Sequence, residues 1–238
     1  MRIEVLFPEV CNLYGDLANV RYLKACCPDA EIIETDLKTR PRFLDEQVDL
    51  VYMGSTTEKG LELAANALRA VKDELIAKLE NGQLMLVTGN ALDALGLSAE
   101  SDEGWQLEGL GILPTRARYQ MMQRHNSFYL GKFGDMDIVG FKSLFGHTYD
   151  APEEDGLFTT VRGMGRNAGT ALEGWRKKGL LATYVTGPLL VLNPPFALHI
   201  LRLMGVSSPT LAFEEAAMEA YRVRVAEFGE TDRPWLYH

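Results

Sequence analysis

Apolar positions along the first hundred residues fall into short runs separated by polar, glycine-bearing turns. Residues 2–7 read as an apolar strand, and residues 30–35 and 48–53 as two more. Between the first two, Val20, Leu23 and Cys27 keep helical spacing, with Asp16 placed to cap that helix. Leu61, Ala64, Leu68, Val71, Leu75 and Leu79 form the inner stripe of one long helix over 57–80, ended by Asn81-Gly82. Residues 84–88 are apolar without alternation, the pattern of a strand buried on both faces of a parallel sheet. Gly89-Asn90 then turns the chain into a short helix that ends at Gly96. Strands alternating with helices predict an α/β, doubly wound and mainly parallel sheet.

The pattern changes beyond residue 105. Residues 119–130 and 136–144 read as a β-hairpin joined at 131–135, an addition to the α/β core. A strand over 180–184, a proline-bounded helix over 194–204 and an amphipathic helix over 211–228 close the chain. No linker or repeat divides it, so residues 1–238 are expected to form a single domain.

Composition narrows the function classes. Hydrophobic residues make up 47% and charged residues 24%, ordinary values for a globular protein. A net charge of −9 opposes a phosphate backbone and argues against nucleic acid as a partner. No apolar run reaches the roughly 18–20 residues of a membrane span. The first residues read as a strand rather than a signal peptide. Cys11, Cys26 and Cys27 form neither a disulfide framework nor a metal pattern, which suits a reducing cytoplasm. No cofactor or metal site is expected. Glu153-Glu154-Asp155 reads as a solvated turn, and Gly163-Met164-Gly165 lacks the Lys-Ser/Thr of a phosphate loop.

Four blocks in order carry a family resemblance. They are Asn12-Leu13-Tyr14-Gly15-Asp16-Leu17-Ala18-Asn19, Asp137-Ile138-Val139-Gly140-Phe141-Lys142-Ser143, Gly163-Met164-Gly165-Arg166-Asn167, and Thr183-Tyr184-Val185-Thr186-Gly187-Pro188-Leu189-Leu190 with Asn193-Pro194. They resemble N-L-Y-G-D-x-G-N, V-G-F-E-N, G-Y-G-N-N and T-Y-L-H-G-P-L-L-x-x-N-P. Those motifs belong to the class I glutamine amidotransferase subunits of cobyric acid synthase and lipid II isoglutaminyl synthase. The resemblance implies the flavodoxin-like, doubly wound α/β fold of that class, and a partner that is a Mur-ligase-like or other ATP-dependent synthetase, in cobalamin or cell-wall synthesis.

It also implies a cysteine on a strained strand-to-helix elbow, C-G-G-Y-Q-L-L-G, and a histidine that shuttles its proton. Here the elbow reads Gly89-Asn90-Ala91-Leu92-Asp93-Ala94-Leu95-Gly96. Aligned on the closing Leu-Gly, the nucleophile position is Gly89, or Thr88 with a shift of one residue. The histidine position is Thr186, which has no group that titrates near neutrality. The loop that is a G-G-G-Q-D type segment in the family is Met53-Gly54-Ser55-Thr56-Thr57-Glu58, which keeps one glycine and is read as losing the family's amide and carboxylate. The expectation is therefore a subunit without glutaminase chemistry that binds its partner, or glutamine or a related small ligand, at the degenerate site. Asn12, Tyr14, Gly15, Asp16, Asn19, Gly54, Asn90 and Asn167 are its candidate binding residues. A second reading stays open, an active amidotransferase whose nucleophile is Cys11 or comes from the partner. His125, His147 and His199 are read as structural histidines, and His238 lies at the end of the sequence.

Overall fold

The protein is described by a computed structural model covering residues 1–149, 152–232 and 234–236; His238 lies outside these residues. In chain order the strands are β1 (Arg2–Leu6), β2 (Glu31–Thr35), β3 (Leu50–Met53), β4 (Met85–Thr88), β5 (Ser98–Ser101), β6 (Gln106–Glu108), β7 (Arg116–Tyr119), β8 (His125–Phe133), β9 (Met136–Leu144), β10 (Gly146–Tyr149), β11 (Phe158–Arg162), β12 (Leu172–Glu173), β13 (Trp175–Lys177) and β14 (Leu180–Thr183). The helices are α1 (Ala18–Cys26), α2 (Glu58–Arg69), α3 (Lys72–Glu80), α4 (Leu189–Leu192), α5 (Pro194–Leu203) and α6 (Glu214–Gly229).

The main sheet has the order β13-β14-β4-β3-β1-β2. All its pairings are parallel except that of the edge strand β13 with β14. Setting β13 aside, this is the flavodoxin-like order with its switch between β1 and β3. Side-chain alternation divides each strand between two cores. Val51, Met53, Met85, Val87, Leu180 and Ala182 face the layer that holds α2 and α3. Leu50, Tyr52, Leu86 and Leu181 face the layer that holds α1 and α5. With apolar neighbours required on both faces, the strands carry unbroken apolar runs.

Three expectations need correction. The helix expected over 57–80 is two helices, because Val71 leaves helical geometry at φ −125° and ψ 20°. Its start is as expected: the Thr57 side chain accepts the Gly60 N–H at 3.1 Å. Asp16 does not cap α1. Its carboxylate finds buried partners elsewhere, and the Leu17 N–H goes to Asn12 Oδ1 at 3.1 Å. The added region is larger than a hairpin. β8 and β9 pair from His125↔Leu144 to Phe133↔Met136, with Gly134 at φ +57° in the two-residue turn. They belong to a four-stranded sheet β12-β11-β8-β9, while Tyr119 lies in a second sheet, β10-β7-β5-β6. Among the described residues no helix is long and apolar enough to cross a membrane.

Candidate active site

The carboxyl ends of β1, β3, β4 and β14 open onto a cleft of about 300 Å³. Gly89 and Thr186 both line it, as do Tyr14, Asn90 and the loop after β3. The backbone at Gly89 keeps an elbow, with Thr88 extended (φ −119°, ψ 151°) and Gly89 at φ +65°. Only glycine holds such a φ without strain. The space a side chain would need is also gone. A Cβ on Gly89 would overlap Ser55 Oγ and fall 2.6 Å from Ser55 Cβ and 3.0 Å from Ser55 Cα.

Ser55 is held in that place from below. Asp16 Oδ2 accepts from the Ser55 N–H and the Ser55 hydroxyl, both at 2.8 Å, and from the Thr88 hydroxyl at 2.5 Å. The next amide, Thr56 N–H, donates to Asn90 Oδ1 at 3.0 Å. Both loop amides that border the elbow thus already have partners, so neither is free for a developing oxyanion. Across the cleft, Thr186 is pinned to β9: its N–H donates to Phe141 O at 2.9 Å and its hydroxyl to the same oxygen at 3.2 Å.

The loop over 12–19 divides into two kinds of residue. Asn12 closes the turn into α1. Asp16 is buried among Ser55, Thr88 and Asn19. The Asn19 amide donates to Asp16 O, Asp16 Oδ1 and Tyr52 Oη at 2.9–3.0 Å, and its oxygen accepts the Leu190 N–H at 2.7 Å. Gly15 at φ +72° makes the turn, and Gly54 allows close passage of the chain, since a Cβ there would meet Cys11 O at 2.6 Å. Tyr14 differs from all of these. It is 46% exposed, sits at φ +62° and lines the cleft, its hydroxyl only 3.3 Å from Ser143 O. Asn167 lies away from the cleft, donating to Thr148 O at 2.6 Å beside a separate groove.

The structure adds residues that motif reasoning did not single out. Arg124, Phe145, Tyr119 and Tyr184 line the cleft, and Glu58 supplies a carboxylate there, so the loop after β3 does carry one. Most hydroxyls and amides of the wall are committed within the protein: Ser55 to Asp16, Thr56 to Val10 O, Ser143 to Asn126, Thr186 to Phe141 O. Glu58 and Arg124 remain. Arg124 stacks over Phe145 at 4.6 Å, and among the described residues neither charge has a hydrogen-bond or ion-pair partner.

Below the floor, Asp93 is buried and accepts the hydroxyls of Tyr119 at 2.6 Å and Tyr184 at 2.5 Å. Burial raises its pKa to about 6, against the opposing pull of the two hydroxyls. A carboxyl raised in the folded state binds its proton more tightly there than in the unfolded chain. It therefore costs stability as pH rises from about 4 to about 6, a loss of roughly 3 kcal/mol that is complete above that range. Asp93→Asn is expected to gain melting temperature over the wild type across that window and to hold the gain at higher pH. Parallel melting curves from pH 4 to 8 check this; a difference independent of pH would remove the carboxyl's charge as its source.

Among the described residues no cysteine or histidine lines the cleft. Cys11 is fully buried, and burial pushes its thiol up to about 12. His125 and His147 meet edge to face at 5.4 Å, and burial lowers both to about 4. His199 packs against Phe133 and Phe196. Among the described residues no group of three or more His, Cys, Asp or Glu side chains could hold a metal ion.

Comparison with known proteins fits this geometry. Residues 2–193 match the family model of the CobB/CobQ-like glutamine amidotransferase domain. The lipid II isoglutaminyl synthase (glutamine-hydrolyzing) subunit GatD of Staphylococcus aureus (strain N315) is 28% identical over 186 residues, covering 76% of this chain and 75% of that one. Its counterpart from Streptococcus pneumoniae (strain ATCC BAA-255 / R6) is 24% identical over 211 residues, covering 84% and 78%. A crystal structure of a glutamine amidotransferase superposes with a TM-score of 0.56 at 14% identity, covering 85% of this chain and 99% of that one, a likeness of fold. With its elbow, its sheet order and its family motifs in register, the chain belongs to the CobB/CobQ-like glutamine amidotransferase family.

Proposed function

We propose that this protein is an amidotransferase-like subunit that binds without hydrolysing, its old glutamine cleft serving a partner synthetase and an amino-acid-sized ligand. The observation that carries this reading is the elbow: Gly89 has no thiol and Ser55 fills the space beside it, yet the cleft stays open. A nucleophile needs an adjacent base, and Thr186 offers none. Ser55 is no substitute, because its proton points at a carboxylate oxygen that already takes two other hydrogen bonds.

Glu58 and Arg124 support a ligand that carries both charges, an ammonium for the carboxylate and a carboxylate for the guanidinium. By resemblance the partner is a Mur-ligase-like synthetase, and the GatD relatives favour cell-wall over cobalamin synthesis. The intracellular compartment follows from that assignment. Calorimetry with L-glutamine as the probe tests the ligand half: binding is expected without ammonia release. Glu58→Gln and Arg124→Met should each weaken it about tenfold or more, as loss of a charged hydrogen bond does. Binding that ignores both substitutions would move the ligand elsewhere.

A further inference from the structure

Asp93, four residues beyond Gly89 on the turn after β4, places an ionisable group under the cleft. Its two oxygens are divided, Oδ2 taking Tyr119 and Oδ1 taking Tyr184, and both tyrosines line the cleft. The Tyr184 oxygen has a second neighbour, Thr148 Oγ1 at 2.5 Å, and Tyr119 shares the cleft wall with Asn90. Asp93, Tyr119, Tyr184 and Thr148 are all buried.

The charged and titratable groups around this unit stand back from it. Glu58 at the start of α2 and Arg124 before β8 line the cleft above. The Lys142–Glu173 pair lies behind Tyr184, with the Lys142 ammonium 5.6 Å from the ring centroid and Glu173 accepting the Tyr184 N–H at 2.8 Å. On β10, His147 precedes Thr148, and on β7 the exposed Arg118 precedes Tyr119. Among the described residues none of these contributes a hydrogen bond to Asp93, whose side-chain partners are the two hydroxyls.

We propose that Asp93, Tyr119 and Tyr184 form a proton-exchange unit that sets the charge and hydrogen-bond polarity of the cleft floor. With Asp93 ionised, both tyrosines donate downward and a negative charge lies under the cleft. When one proton is taken up, the oxygen that receives it stops accepting and starts donating. If that oxygen is Oδ1, Tyr184 accepts from it and turns its own hydrogen to Thr148 Oγ1. If it is Oδ2, Tyr119 accepts from it and releases its own hydrogen toward the cleft that it lines. One proton enters, no bond between heavy atoms changes, and both tyrosines stay neutral. Cationic groups in the cleft are favoured by the first state and hydrogen-bond acceptors by the second, a consequence that rests on the cleft being the binding site. Burial, which raises the Asp93 pKa, places the exchange within a physiological range.

The test uses the intact protein with ¹³C-labelled aspartate and tyrosine carbons, titrated by NMR from pH 4 to 8. One carboxyl resonance should titrate with a midpoint near pH 6 and be missing from Asp93→Asn. The ring carbons of Tyr119 and Tyr184, identified through Tyr119→Phe and Tyr184→Phe, should move with the same midpoint. A carboxyl midpoint below about 4.5, or tyrosine signals that ignore the carboxyl, overturns the proposal. Should the wild-type protein fail to bind L-glutamine, the ligand half of the proposed function falls while this titration still decides the proton unit on its own.

Discussion

Purified protein given L-glutamine is expected to release ammonia at no more than the uncatalysed background. Removing one essential member of a nucleophile–base unit already costs about 10⁶ in rate, and here both positions lack the group. Restoring them alone should not restore the reaction. In Gly89→Cys with Thr186→His, the new Cβ would collide with Ser55, and a non-glycine residue at φ +65° adds about 1–2 kcal/mol of strain. Ser55 cannot swing aside cheaply, since Asp16 holds both its amide and its hydroxyl. Adding Ser55→Gly removes the overlaps with Oγ and Cβ, leaves the 3.0 Å approach to Cα, and keeps the amide that Asp16 binds. A glutamine-mimicking chloroketone should therefore label the new cysteine in the triple variant and leave the double variant unmarked, with circular dichroism confirming that both fold. Robust ammonia release by the wild type would overturn the non-hydrolytic reading. Equal labelling of the double and triple variants would remove Ser55 from the account.

The α/β core was legible because β3, β4 and β14 must be apolar on both faces, and because Thr57 and Asn81-Gly82 punctuate the helical layer. Gly89 and Thr186 stand where the resemblance puts the family's cysteine and histidine, an assignment made from their neighbours, and both line the cleft. The added sheets were not legible, since β5, β6, β7 and β10 are only three or four residues long and β5 lies directly between β6 and β7, pairing in parallel with the latter. Asp16 illustrates a different limit. Its local sequence fits a helix cap, but Ser55 and Thr88 lie 39 and 72 residues away, and their burial makes them the stronger claim on its carboxylate. Arg124 and Asp93 were invisible for the same reason: each matters because of what distant strands bring beside it.

The loop over 12–19 allows packing and binding to be separated by substitution. Asn19→Ala would strip four hydrogen bonds from a buried site, leaving the Leu190 N–H without its acceptor. Such a loss costs about 3 kcal/mol or more, which for a chain of this size lowers the melting temperature by roughly 6–12 °C. Tyr14→Ala should behave in the opposite way. Nearly half the side chain is exposed and its hydroxyl contact to Ser143 is long, so little packing is lost. Tyr14 also holds a positive φ of +62°, a strained backbone for a large residue, and tyrosine is among the residues enriched at interface hot spots. The melting temperature is expected to stay within about 2 °C of the wild type, while association with a Mur-ligase-like synthetase falls by about 30-fold or more, the scale of an interface hot spot. Surface-immobilised protein titrated with the synthetase, alongside melting curves of both variants, measures the two effects together. A large fall in melting temperature with unchanged association would make Tyr14 a packing residue like Asn19 and move the partner's footprint away from this edge of the cleft.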